Sequence, residues 1–365
     1  MKSICQLYVP SFFRSYGNNA INVITYILPK LKETGFSGIY LIGLFQDGGY
    51  DNGFDIVSYD VNSKFGTNDD LVKLINAAHE QKLEIGVDVV PNHVSDKHIL
   101  AQKCLADVPG YEDALYVVSE EEAIRLTESG VPSFFGKKAY SKVNGKYVRT
   151  TFADDHQLNL NWNSISVQTY FARLFTNLKA GGIDFARIDC GMMLLEDVSK
   201  ADKNNPMACM NPVYSVDAIR NVAGDMPLFF EWFDPKSAEI FNDMPNCYAL
   251  DCSYVMGVPF SFENWNHPHM VPILGGHDQM TAADRGIDID EAINEASKHE
   301  YAFLDIQTLL RHQTDPRILP GDETYDADLS NVNQRYRARR EIRPVLEEFM
   351  KLDLHLPSDE ITHNF

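Results

Sequence analysis

Arg187 and Asp189 lie two positions apart in the apolar stretch "GGIDFARIDCGMM", which begins at Gly181. In a strand, residues two apart share a face, so the guanidinium and the carboxylate meet the same surroundings. A core has no use for such a pair unless other polar groups join it. Three further apolar runs close on polar residues in the same way. "DVVPNH" supplies Asp88, Asn92 and His93, "FFEW" supplies Glu231, and "LGGHDQ" supplies His277 and Asp278. Each is a weak signal, since an Arg-x-Asp is commonly a structural ion pair and a His-Asp dipeptide a solvated loop. In order, on successive strand ends, they make a set able to do acid–base and nucleophilic chemistry. Arg187 favours the ionised form of Asp189. Phe229, Phe230, Trp232 and Phe233 around Glu231 predict an apolar setting that favours its protonated form.

Strand-like runs followed by helical patterns must position these groups. The runs are "ICQLYV", "SGIYLIGLF", "LEIGVDVV", "IDFARID", "PLFFEW", "CYALDC", "HMVPILGG" and "RILPG". Being apolar throughout, they predict a parallel sheet covered by helices, and eight of them favour a closed (β/α)8 TIM barrel. Thr67 and Asp70 make a capping-box pattern at the head of one helix. "SVQTYFARLFTNLKAGG" and "EAINEASKHEYAFLDIQTLL" read as two more helices, and "NVNQRYRARREIRPVLEEFM" as a last helical stretch. The segment 94–160, with the hairpin-like Asn-Gly of "VNGKYVRTTF", does not fit one βα step. It is expected to be a small domain inserted after the third strand. Residues 1–93 and 161–350 then form the barrel and 351–365 a tail. Functional residues of such barrels gather at the C-terminal strand ends, where the polar set falls.

The chain has 365 residues and a formal net charge of −20. That balance argues against nucleic acid or an anionic membrane surface as partner. No apolar run is long enough to span a bilayer. "MKSICQLYVP" does not read as a signal peptide, and the six scattered Cys read as reduced thiols, so a cytoplasmic location is expected. His79, His98 and His156 read as solvated or hydrogen-bonded, Met192 and Met193 as packing beneath the site, and "EEEAIRLTE" as an acidic helix face.

The chain resembles the α-amylase family of glycoside hydrolases, family 13. Its four short regions match "DVVPNH", "GIDFARID", "FFEW" and "GGHD", and the fifth resembles "QLNLN" at 157–161. "DNGFDIVSYDVNSKFG" and "PGDE" at 320–323 fit as well. The resemblance implies that Asp189 is the nucleophile, Glu231 the general acid/base, and Asp278 the third carboxylate, which holds sugar hydroxyls. His93 and His277 would donate to the sugar, with Arg187 beside the nucleophile and Asp88 among the binding residues. "DNGFDI" is similar to the motif of oligo-1,6-glucosidases and α-glucosidases, in which the first Asp binds the non-reducing end. Asp51 takes that place here, and Phe54 stands where a stacking Tyr is usual. The bland reading is a glycine-rich turn with a capping Asp.

Several departures bear on specificity. Gly-Gly precedes His277 where an Asn is usual, Cys190 follows the nucleophile, and Met192 and Met193 stand where many α-amylases carry Lys and His. The acidic calcium loop of some relatives is missing, so neither metal nor cofactor is expected. No β-sandwich is read after the barrel, which predicts an uncovered apolar helix surface and hence a possible homo-oligomer. The expected activity is that of a retaining α-glycosidase or transglycosylase on small α-linked sugars. The alternatives are a glucosyltransferase or sucrose-type isomerase, which uses the same covalent intermediate, and a non-catalytic sugar-binding protein. A metal-dependent barrel hydrolase would need a His-x-His or bridging Lys at strand ends.

Overall fold

The computed structural model describes residues 1–51, 53–133, 138–150, 155–205, 207–256, 259–276, 282–283, 285–312 and 342–356. Its main sheet is parallel and built from β1 (Lys2–Tyr8), β2 (Gly38–Ile42), β3 (Glu84–Val89), β4 (Phe185–Ile188), β5 (Leu228–Trp232), β6 (Cys247–Asp251), β7 (Met270–Val271 and Ile273–Leu274) and β8 (Tyr301–Leu304). Neighbours in sequence are neighbours in space, and β8 pairs with β1. The first half of β7 pairs with β6 and the second half with β8, which brings the sheet round on itself. The break between the halves is Pro272, which has no N–H for a ladder; its carbonyl accepts the Phe303 N–H at 2.9 Å. This is the TIM barrel that the apolar runs predict.

The closing strand differs from expectation. "RILPG", at 317–321, lies outside the described residues, as do "PGDE" and most of the last helical stretch. β8 is instead "YAFL", inside the stretch read as one long helix. That helix runs only over Ile289–Ala296, and all four residues of β8 are buried. A run buried on both faces has no period-two alternation, so strand and buried helix look alike in sequence.

Aromatic rings fill the lower barrel. Phe229 and Phe303 centroids lie 5.0 Å apart, and Tyr40 and Tyr301 pack beside them. Gly86 makes this possible, because a Cβ there would fall 2.0 Å from the Phe185 ring. Above the rings the same inward face becomes polar, and strand register decides how. Asp88 on β3 is the register partner of Arg187 on β4, which pairs with Phe229 on β5. One pleat higher come Asp189 and Glu231, at the C-terminal edge.

Two excursions rise beside that edge. After β2, Phe45–Asp47 pairs antiparallel with Ile56–Val61, so residues 48–55 form a hairpin tip. After β3, His93–Ser95 pairs antiparallel with Gln157–Asn159. Between those two strands stand the helix Glu120–Ser129, capped by Ser119, and the hairpin Tyr140–Val143 with Lys146–Arg149. Asn144 and Gly145 make the turn with positive φ, as the Asn-Gly signal predicts. The capping box of Thr67 and Asp70 is also formed. Among the described residues no helix is long and apolar enough to cross a membrane.

Candidate active site

One guanidinium organises the barrel mouth. Arg187 is 3% exposed. Its Nη1 donates to Asp88 Oδ1 at 2.9 Å and to Asp189 Oδ1 at 2.6 Å, and its Nη2 lies 2.8 Å from Glu231 Oε1. Three adjacent strands thus each contribute a buried carboxylate to one cation. The strand-face argument foresaw the Arg187–Asp189 pair.

Glu231 differs from the apolar setting expected for it. Its aromatic neighbours are buried around it, but its direct contacts are polar. Besides Arg187, the backbone N–H of Cys190 donates to Oε2 at 2.8 Å. Cys190 has a φ of 49°, a left-handed conformation uncommon outside glycine. That turn directly follows Asp189 and aims the N–H at Glu231. Oxygens of Asp189 and Glu231, with the Cys190 sulfur, all lie within 4.8 Å of one another. Burial and both carboxylates push the Cys190 thiol up, which keeps it a neutral thiol.

Asp88 sits lower, beside the buried hydroxyl of Tyr40. Burial raises it to about 6 although Arg187 opposes the shift. It faces the guanidinium, which makes it an anchor for Arg187. Met192 and Met193 are buried beneath the mouth, as expected, and the Met192 sulfur accepts the Phe233 N–H at 3.3 Å.

The two excursions meet over the pocket. Gln157 Nε2 lies 2.7 Å from Asp51 Oδ2 and 3.1 Å from His93 Nε2. Asp51 is therefore joined through Gln157 to the insertion strand, beside His93. Phe54 is 4% exposed and part of the core. Asp55 pins the loop from within: its carboxylate accepts the N–H of Tyr50 at 3.1 Å and of Asp51 at 3.0 Å. It is fully buried, and burial raises it to about 7 against those two bonds. Gly48 has no room for a side chain, since a Cβ would meet Asp55 Oδ2 at 2.5 Å and Ser95 Oγ at 2.6 Å. His277 and Asp278 lie outside the described residues.

Sequence reasoning missed three anchors. Asp55 carried a signal, four residues after Asp51 in a glycine turn. Gln157 stands in the quoted "QLNLN", but its partners are set by an antiparallel return that spacing does not reveal. Arg149 and Glu196 form a bidentate pair, at 3.0 and 2.8 Å, that ties the insertion to the loop after β4. Of the bland readings, His98 is fully buried, pushed down to about 4 by burial and bonded to the Tyr170 hydroxyl at 3.0 Å. His79 pairs with Asp184, and His156 stacks on Tyr50. The six Cys are all buried, and none forms a disulfide.

Fold and site together define a parallel-barrel protein with a carboxylate–arginine centre at the C-terminal strand ends. The family model described as the α-amylase catalytic domain matches residues 6–250. The chain belongs to the α-amylase family. It is 29% identical over 190 residues to an oligo-1,6-glucosidase of Bacillus sp. (strain F5), covering 51% of this chain and 37% of that protein. It is 30% identical over 260 residues to maltase 1 of Drosophila virilis, covering 67% of this chain and 37% of that one. The chain thus spans well under half the length of these relatives. A trehalose-6-phosphate hydrolase structure from Bacillus licheniformis superposes with a TM-score of 0.75 at 17% identity, covering 97% of this chain and 72% of that one. At that identity the likeness concerns the fold.

The shared guanidinium generates a test. Replacing it by an apolar side chain (Arg187→Met) leaves buried carboxylates uncompensated, so their folded-state pKa values rise above the unfolded ones. Stability from such groups is present at low pH and lost as pH rises through the folded value. Arg187→Met should be destabilised by about 3–5 kcal/mol at pH 8, and by clearly less at pH 5. Urea unfolding at the two pH values measures this, and an equal deficit at both would show that the carboxylates are not held by Arg187.

Proposed function

We propose that the chain is a retaining α-glycosidase or transglycosylase, acting on small α-glucosides through a covalent glycosyl-enzyme intermediate. The observation that carries this reading is the approach of Asp189 and Glu231 oxygens within 4.8 Å. Retaining pairs stand about 5–5.5 Å apart, whereas inverting pairs stand roughly 6.5–9.5 Å apart to admit a water. Asp189 attacks the anomeric carbon while Glu231 gives its proton to the departing glycosidic oxygen. In the second step Glu231 takes a proton from water or a sugar hydroxyl, which attacks the same carbon and releases Asp189. By resemblance, Asp278 and His277 hold hydroxyls of the same sugar. The relatives' names, an oligo-1,6-glucosidase and a maltase, agree with an α-glucoside substrate.

The pocket also has an end. Asp51 would stand at the closed end, joined through Gln157 to the strand Gln157–Asn159 on the same side. An ionised carboxylate there accepts hydrogen bonds from terminal hydroxyls. A chain continuing past it would leave the charge desolvated and unpaired. This favours attack from the non-reducing end.

Asp189→Ala should lose essentially all turnover of 4-nitrophenyl α-glucoside while keeping the fold. A fluoro-sugar inactivator should label Asp189, and a label found elsewhere by mass spectrometry would remove it from the nucleophile role. Glu231→Gln should lose roughly 100-fold or more on disaccharides, and much less in the first step on activated aryl glucosides. Equal loss on both would exclude it as the acid. Asp51→Ala should raise KM and lower kcat together on disaccharides. Mid-chain cleavage of reducing-end-labelled maltoheptaose by the unmodified protein would replace the pocket with an open cleft.

A further inference from the structure

We infer that Gln157 is the positioning residue of this pocket: its single carboxamide sets both the direction of Asp51 and the tautomer of His93. The inference rests on the pocket proposed above. It follows from hydrogen-bond chemistry at one nitrogen. The Gln157 atom 2.7 Å from Asp51 Oδ2 faces an acceptor, so it must be the amide nitrogen. The same nitrogen lies 3.1 Å from His93 Nε2. With one N–H spent on Asp51 and the other directed at the imidazole, His93 Nε2 must present its lone pair. The ring proton is then on Nδ1. Asn92 Nδ2 stands 3.3 Å from Nδ1; turned by half a rotation, the same amide presents its oxygen there and accepts that proton.

The local fold makes the arrangement specific. Gln157 and Asn159 share a face of their short strand, and the antiparallel register sets Gln157 opposite Ser95 and Asn159 opposite His93. Gln157 therefore reaches His93 diagonally, while Leu158 and Val94 turn the other way into the core. Gln157 is 2% exposed, so water does not compete for its N–H groups. A sugar seated against Asp51 then meets an imidazole whose Nε2 lone pair is already engaged by Gln157, where the sequence reading expected a donor. Gln157 touches both groups but not the reacting atoms, so it acts through them.

The test combines kinetics with a spectroscopic signature on the intact chain. Gln157→Met, close in shape and without N–H groups, should raise KM for maltose roughly tenfold, the loss of one charge-assisted bond. Its kcat on maltose should fall as well, in the same direction as for Asp51→Ala. Added to Asp51→Ala, the same change should cost less than about twofold, because the partner is already gone. Nitrogen-15 spectra of labelled histidine, with His93 identified through His93→Gln, should show Nδ1–H in the unmodified protein. Gln157→Glu places an acceptor at Nε2 and should move the proton there, which decides the matter even if Gln157→Met does not fold. Nε2–H in the unmodified protein, or one tautomer in all variants, would overturn the inference. The spectra need no substrate. A tautomer switch in a protein that cleaves no α-glucoside would uphold Gln157 and instead refute the proposed activity.

Discussion

Everything at the mouth of this barrel depends on one buried cation. Removing a guanidinium and carboxylates from water costs several kcal/mol per ion and is recovered only with good geometry and further hydrogen bonds. Arg187 meets that condition because β3, β4 and β5 are parallel and in register, which stacks Asp88, Asp189 and Glu231 around it. A one-residue slip of any strand would turn its carboxylate to the helical side of the barrel. The aromatic layer below resists that slip: Phe185 fills the space that Gly86 leaves open, and Phe229 packs on Phe303. The hydrophobic core thus fixes the register, and the register fixes the electrostatics.

The walls are held by a second class of interaction, in which buried polar side chains replace backbone ladders. Among the described residues, 48–51 and 53–55 belong to no strand, and Asp55 substitutes by accepting two backbone N–H groups. Arg149 does comparable work on the other side, bonding Glu196 through two nitrogens and the Ala139 carbonyl through a third. Both acids are far from solvent, so neither can move without stranding a charge or an N–H. A loop-built pocket acquires from these anchors the rigidity that strands give the floor.

The floor was legible in the sequence and the walls were not, for a physical reason. Period-two geometry is local, so Arg187 and Asp189 could be assigned one face from two letters, and Glu231 and Asp88 followed from where apolar runs stop. The barrel class was legible for the same reason. β8 was not, because "YAFL" is apolar on both faces and its neighbours suit a helix. The Arg149–Glu196 pair spans 47 positions and joins a hairpin strand to a loop, so no local pattern encodes it. The apolar prediction for Glu231 failed differently: the aromatic residues are where they were placed, but the strained turn at Cys190 and the reach of Arg187 add polar contacts that composition does not display.

That last difference bears on how Glu231 would act as the proposed acid. Sequence suggested two carboxyls pushed apart by separate surroundings, one beside a cation and one in an apolar wall. In the structure both touch the same cation, and Asp88 competes with them for it. Three carboxylates surround one guanidinium, and Asp88 is raised to about 6, first by burial and then by the neighbouring Asp189 carboxylate, against the pull of Arg187. Under the proposed mechanism Glu231 would give its proton from a polar setting and not from an isolated apolar niche. Covalent attachment of a sugar to Asp189 would remove one of the three negative charges. In the proposed reaction Asp88 and Glu231 would then be the two acids left on Arg187. On that reading the charge that Arg187 balances differs between the two steps, because the attached sugar neutralises Asp189.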